Sequence, residues 1–388
     1  VATPDDLVVA PLAELRKRRS AKWRTYAAPI IPMTVAEMDF DLADPIVDAL
    51  QEAVAASDTG YAMPTPALGD AFAGFAGDRW NWAVDARQVT AVTDVGVGVV
   101  ELLRARVRPG DTVVISPPVY PPFFDWLNEA GAHRREVPLT RDDSGGWRLD
   151  LPALEQAFAE GPAGYVLCNP HNPVGRVHEK DELAELVRLA ARHDVTIISD
   201  EIHGPVVLAA ADFTPILTVP GAAEHAVAVV SASKAFNLAG LKCAAIVTGS
   251  DRSAALASKL PADNRWRTGH LGVLATVAAY RDGGPWLDRL LTTLLHRREH
   301  LDALLRSRLP AISWVPPQAT YLAWLDCTSV RADDDPQHHF LDRAHVALEP
   351  GTRFGRAFGG FVRLNFATCP EILDEAVARM ARSLGDTA

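Results

Sequence analysis

Cysteine is scarce in this chain of 388 residues. The four present, Cys168, Cys243, Cys327 and Cys369, are scattered and show no C-x-x-C spacing. That argues against a disulfide framework or a metal site, and the two thiols in strand-like runs read as small buried hydrophobes. Basic runs of five or more are missing too, and the formal net charge is −11. Neither nucleic acid nor an anionic membrane surface is therefore an expected partner. No apolar stretch approaches the ~20 residues of a membrane helix. The first residues, Val1-Ala2-Thr3-Pro4-Asp5-Asp6, lack the apolar segment of a signal peptide, so the expected compartment is a reducing cytoplasm. Internal repeats and low-complexity tracts are absent.

What is present is enough apolar material, 48% of the chain, for a large core and two domains. Residues 1–45 read as an N-terminal arm with part of a small domain: a short basic helix over Leu12 to Arg19, then an extended stretch through Asp39. Over 46–280 helix and strand patterns alternate, as a doubly wound, mostly parallel α/β sheet domain requires. Residues 281–388 read as a smaller α+β domain. It opens with a leucine-striped helix after Pro285, has strands near Thr320 to Leu325 and Phe361 to Phe366, and ends in a helix from Pro370 to Leu384. The polar stretch Val330 to His339 reads as a surface loop.

Three strand ends carry chemistry. The apolar run Ala226 to Val230 leads into Ser231-Ala232-Ser233-Lys234, where a partly desolvated lysine could form a Schiff base with an aldehyde cofactor. The hydroxyls of Ser231 and Ser233 and the second cation, Lys242, would hold a phosphate. Gly164 to Cys168 runs into Asn169-Pro170-His171-Asn172-Pro173-Val174-Gly175, and Val195 to Ser199 runs into Asp200-Glu201-Ile202-His203. Between them Leu183, Leu186, Val187 and Ala190 recur at helical spacing. Ligands bind outside the carboxyl ends of such strands, so Asn172, Asp200 and Lys234 are expected to converge.

In this order and spacing, Asn-Pro-x-Gly, Asp-x-x-His and Ser-x-Ser-Lys resemble the fold-type-I pyridoxal-phosphate (PLP) enzymes of the class I/II aminotransferase family. The segments Val35-Ala36-Glu37-Met38-Asp39-Phe40, Thr59-Gly60-Tyr61, Pro118-Val119-Tyr120-Pro121-Pro122-Phe123 and Phe236 to Leu241 are similar to the MalY/PatB group of cystathionine β-lyase-type carbon–sulfur lyases. The resemblance implies that Lys234 carries PLP and shuttles the substrate Cα proton. Asp200 would pair with the ring nitrogen. Asn172 and His203 would contact the ring hydroxyl, and Tyr120 would stack on the ring. Asn169 would hydrogen-bond nearby or only shape its turn. Phosphate would meet Ser231, Ser233, Lys242 and the amides of Val95 and Gly96 at a helix start. Arg363, alternating with apolar neighbours in Phe361 to Phe366, would clamp the substrate carboxylate, beside Ala36 and Asn172. Tyr61 would reach a neighbouring subunit's phosphate, implying a homodimer.

The sequence departs from that group in places. Thr93-Asp94-Val95 stands where Pro-Gly-Val is usual, so the Asp94 side chain must point away or cap the helix. Thr34 replaces a tryptophan, and Glu37 an aspartate. The set His296-Arg297-Arg298-Glu299-His300 matches an inverted zinc-protease pattern, but both histidines are expected on the solvent face of their helix, with no metal bound. Two reactions remain open: β-elimination of a thiol from an L-cysteine conjugate, and transfer of the amino group to a 2-oxo acid.

Overall fold

A computed structural model describes residues 6–63, 66–143, 145–208, 211–330 and 335–385. Its central layer is a seven-stranded sheet of β1 (Val89–Val92), β2 (Thr112–Ile115), β3 (His133–Glu136), β4 (Gly164–Cys168), β5 (Thr196–Asp200), β6 (Ala226–Val230) and β7 (Ala244–Val247). The spatial order is β1-β7-β6-β5-β4-β2-β3. Strand β7 is antiparallel to both its neighbours, while β2 to β6 pair in parallel. Every residue of β4, β6 and β7 is buried. Both faces of a parallel sheet are covered, which is why these strands read as unbroken apolar runs.

Alternation sorts the side chains onto two sides of the sheet. Tyr165, Leu167, Ile197, Ala228 and Ala245 join one core. Val166, Cys168, Ile198, Val229 and Ile246 join the other. The second core is closed by α1 (Val95–Arg106) and α2 (Pro122–Glu129), through Val99, Leu103, Phe123 and Leu127. The first is closed by α3 (Lys180–Arg192), whose Leu183, Leu186, Val187 and Ala190 are buried as their spacing predicts. A reciprocal capping box between Glu179 and Glu182 starts that helix.

A second, antiparallel sheet is built from β8 (Ser313–Trp314), β9 (Leu322–Asp326), β10 (Glu349–Pro350) and β11 (Phe361–Asn365), in the order β8-β9-β11-β10. Around it lie α4 (Gly284–Arg308), α5 (Pro336–Asp342) and α6 (Pro370–Gly385). Helix α5 corrects the expected loop: Asp335 accepts from the amide of Gln337 at 2.8 Å with Pro336 at the first helical position. That is a strong helix start which the acidic composition disguised; residues 331–334 of the same stretch, and 1–5 of the arm, lie outside the described residues. The arm helix is also shorter than expected, two single turns at Leu12–Leu15 and Ala21–Arg24 with Leu15 and Trp23 buried.

The arm then runs along the small sheet. Ile31–Pro32 pairs in parallel with Val346–Ala347, and Met33 accepts from the amide of Asn365 at 2.8 Å. Further on, Asp39 donates its amide to Ala367 at 3.0 Å. The side chain of Asp39 accepts from Lys22 Nζ at 2.8 Å and Trp23 Nε1 at 2.9 Å, and both charged groups are 1% exposed. A buried ion pair thus anchors the segment that roofs the site.

Candidate active site

Strand register brings the expected residues together. Cys168 lies opposite Asp200, and Asp200 opposite Val229, so β4, β5 and β6 end level with one another. A cavity of about 300 Å³ opens at these ends. It is lined by Ala36, Val95, Gly96, Tyr120, Asn172, Asp200, His203, Ser233, Lys234 and Lys242. A larger cavity, about 470 Å³, lies elsewhere around Met63, Arg87, Thr90 and Leu260, and among the described residues no lysine, carboxylate or histidine lines it. The smaller one holds the chemistry.

Lys234 sits on a single turn after β6, closed by Phe236 donating to Ala232 at 2.9 Å. Its Nζ donates to the carbonyl of Ala36 at 2.9 Å. Burial, then the nearby charge of Arg363, brings the amine down to about 8, where a useful fraction is unprotonated near neutrality. Burial pushes Asp200 up to about 7, against the amide of Ile202, which it accepts at 3.1 Å, and the charge of Lys234. His203 is driven down to about 3, by burial first and then by Lys234 and Arg363, so its ring is neutral; its Nδ1 is buried without a partner. Tyr120 packs edge-on against Trp126 at 6.0 Å.

Arg363 is 4% exposed. Its Nη1 donates to Asn172 Oδ1 at 3.1 Å and its Nη2 to the carbonyl of Thr34 at 3.2 Å, while its Nε is unpartnered. Among the described residues no carboxylate pairs with it, although a buried guanidinium cannot shed its charge. By occupying Asn172 Oδ1, the arginine leaves the amide NH₂ of Asn172 to donate to a ligand.

Ser231, expected at the phosphate, stands off the cavity, and Tyr61, expected to serve a neighbouring subunit, lies on this chain's surface. The hydroxyl of Ser231 donates to the carbonyl of Cys243 at 2.7 Å and accepts from the amide of Ser233 at 3.1 Å, so it braces the lysine turn instead of lining the cavity. Tyr61 is 80% exposed, packed edge-on against Trp266. Asp94 caps α1, accepting from Val97 N at 2.8 Å, and also pairs with Lys242 at 2.9 Å. Asn169 donates to Glu201 Oε1 and to the carbonyl of Thr214.

The zinc-like set resolves into structural pairs. His296 meets Asp6 at 2.7 Å and His300 meets Asp374 at 3.1 Å, both only partly exposed and not on an open solvent face as expected. Arg297 between them is buried on Asp6.

Other residues of the site had no role assigned from the sequence, although Asn237 and Gly175 stand inside the segments that carry the family resemblance. Tyr321 donates its hydroxyl to the same Ala36 carbonyl at 3.0 Å. Asn365 Nδ2 donates to Val35 and Glu37 carbonyls at 2.7 Å each, and Asn237 brackets the backbone of Met38 with two bonds of 2.9 Å. These asparagines hold the roof segment over the lysine. Gly175 has a left-handed φ of +66°, and a Cβ there would lie 2.2 Å from Pro317 Cβ; no other residue suits that turn.

The donor set fits PLP. An amine of depressed pKa would meet its aldehyde, a buried carboxyl its ring nitrogen, and Asn172 with the orphaned His203 nitrogen its hydroxyl. Lys242, Ser233 and the amides of Val95 and Gly96 would meet its phosphate.

Comparison with known proteins agrees with this arrangement. Residues 28–380 match the family described as aminotransferase class I and II. A protein of Mycobacterium tuberculosis strain H37Rv is 43% identical, with 98% of each chain covered. The cystathionine beta-lyase PatB of Bacillus subtilis is 34% identical over 91% of this chain and 92% of its own. The solved PLP-bound C–S lyase of Staphylococcus hominis superposes with a TM-score of 0.88 at 25% identity, over 99% of both chains. With the strand-end lysine, aspartate and asparagine and the family match in agreement, the chain belongs to the class I and II aminotransferase family.

Proposed function

We propose that the protein is a PLP-dependent carbon–sulfur β-lyase that converts an L-cysteine conjugate and water to pyruvate, ammonia and a thiol. The observation that carries the reading is Arg363: a buried guanidinium with a free Nε and, among the described residues, no paired carboxylate, on the same asparagine that faces the lysine's cavity. Such a group is suited to the α-carboxylate of an amino acid. Bound here, PLP would supply an aldehyde for an amine and a ring that draws electron density from the substrate Cα. Lys234, partly unprotonated at neutral pH, takes the proton from that carbon. Asp200 would meet the ring nitrogen and hold a proton there, as the carboxylate that burial alone disfavours. Arg363 fixes the carboxylate, so the Cβ–S bond can align for thiolate departure. Relatives named as cystathionine beta-lyases favour elimination over amino transfer.

Tyr61, Met63 and Trp266 are 80%, 63% and 47% exposed, unusual for large apolar side chains on a finished surface. They support a homodimer in which Tyr61 serves the other subunit's phosphate site. The four free thiols agree with a reducing cytoplasm.

The test is product analysis. PLP-loaded protein given L-cystathionine should release pyruvate, ammonia and thiol with no oxo acid added, and Lys234→Ala should abolish both turnover and borohydride-trapped cofactor. Amino transfer to an added 2-oxo acid that matches or outpaces thiol release would replace the lyase reading with a transaminase.

A further inference from the structure

The phosphate end of the cavity already contains an anion. Asp94 is the N-cap of the twelve-residue helix α1; its Oδ1 accepts from Val97 N at 2.8 Å and its Oδ2 meets Lys242 Nζ at 2.9 Å. One of the groups that would receive a phosphate, the Lys242 ammonium, is thus already engaged by a carboxylate. The amides of Val95 and Gly96 remain without a hydrogen-bond partner among the described residues, and Asp94, Lys242 and both amides' residues line the same cavity. The main chain of Lys242 is held in place, while its side chain is 54% exposed. Its backbone is left-handed at φ +60°, and its carbonyl is held by the amide of Gly269 at 3.1 Å.

We propose that Asp94 is a built-in competitor of the cofactor's phosphate: its carboxylate holds Lys242 and the start of α1, and cofactor binding must displace or tolerate it. The proposal rests on the PLP reading above. A second negative charge beside a phosphate dianion is repulsive, and the ammonium that would offset it is already shared. Cofactor affinity is therefore lower than the donor set alone would give, and the site exchanges its cofactor more readily.

The test uses full-length protein freed of cofactor and titrated at equilibrium with PLP, with 4′-deoxypyridoxine 5′-phosphate, which cannot link to Lys234, and with phosphate-free pyridoxal. Asp94→Asn keeps the helix cap and the shape but removes the charge. It should tighten both phosphate-bearing ligands by about tenfold, equivalent to ~1.4 kcal/mol, and leave pyridoxal unchanged. Asp94→Ser, a shorter cap that cannot reach Lys242, should do the same, and guards against a local effect of the amide. Unchanged or weakened phosphate-ligand affinity in both variants overturns the proposal, weakening being the sign that Asp94 merely aims Lys242 at phosphate. An equal shift for pyridoxal also overturns it, since the effect would then be structural. Failure of wild type and variants alike to bind either phosphate ligand would remove the PLP reading and this proposal together.

Discussion

At the scale of single residues, burial sets the chemistry. Arg363 has two hydrogen bonds to neutral oxygens and, among the described residues, no carboxylate within ion-pair distance, so its contribution should appear chiefly with substrate. Arg363→Lys keeps the charge but loses the planar fork. We expect kcat/KM for an L-cysteine conjugate to fall about ten- to a hundredfold, ~1.5–3 kcal/mol of charged hydrogen bonding. The absorbance of bound cofactor should not change; a loss below twofold would make the arginine structural. Glu201 is a second case. It is 1% exposed, its Oε1 accepts from Ile216 N at 2.8 Å and Ser199 Oγ at 3.0 Å, and its Oε2 has no partner. Burial raises its carboxyl to about 8, so the folded protein keeps this proton to a higher pH than the unfolded chain does. Stability from the group is complete below the unfolded value near ~4.3 and is lost as pH rises through about 8. Glu201→Gln keeps the acceptor and removes the titration. Its apoprotein melting temperature should therefore decline less from about pH 5 to about pH 8.5, while Asp200 and Lys234 titrate in both proteins alike. Parallel curves would mean that Glu201 is ionised throughout. Lys234, Asp200 and Asn172 were legible in sequence because each stands at, or four residues past, the end of a short apolar run. The roles of Asn237 and Tyr321 were not, since their partners lie 199 and 285 residues away.

At the scale of elements, the sheet was legible and the arm was not. Strands buried on both faces and the amphipathic α3 announce themselves by pattern, whereas the arm has little regular structure and takes its shape from distant groups. The Lys22–Asp39 pair is the clearest example, with both side chains 1% exposed. Lys22→Met should leave a buried, uncompensated carboxylate and lower unfolding free energy by ~3–5 kcal/mol, measured by urea denaturation of the apoprotein. A change under ~1 kcal/mol would put the pair in the surface class. Helix α5 teaches the complementary lesson: one Asp-Pro step can begin a helix inside a stretch that composition marks as loop.

At the scale of the whole molecule, the proposed site draws on a seven-stranded sheet, a small antiparallel sheet and the arm that joins them, and on a second copy if Tyr61 crosses over. Mixing Lys234→Ala and Tyr61→Phe subunits tests the last point, because one heterodimer site would carry both lesions and the other neither. Activity should return toward half that of wild type per mixed dimer; verified heterodimers that stay inactive would confine Tyr61 to its own chain. One small feature has reach at this scale. The Ala36 carbonyl is gripped by both Lys234 and Tyr321, at 2.9 and 3.0 Å. Once the lysine turns to other work, the tyrosine is left as the one partner of that carbonyl among the described residues, and the roof loses one of its ties. Occupancy deep in the cleft should then be readable from outside, as quicker deuterium uptake by backbone amides around Val35 to Met38, a tremor in the lintel whenever the hearth is lit.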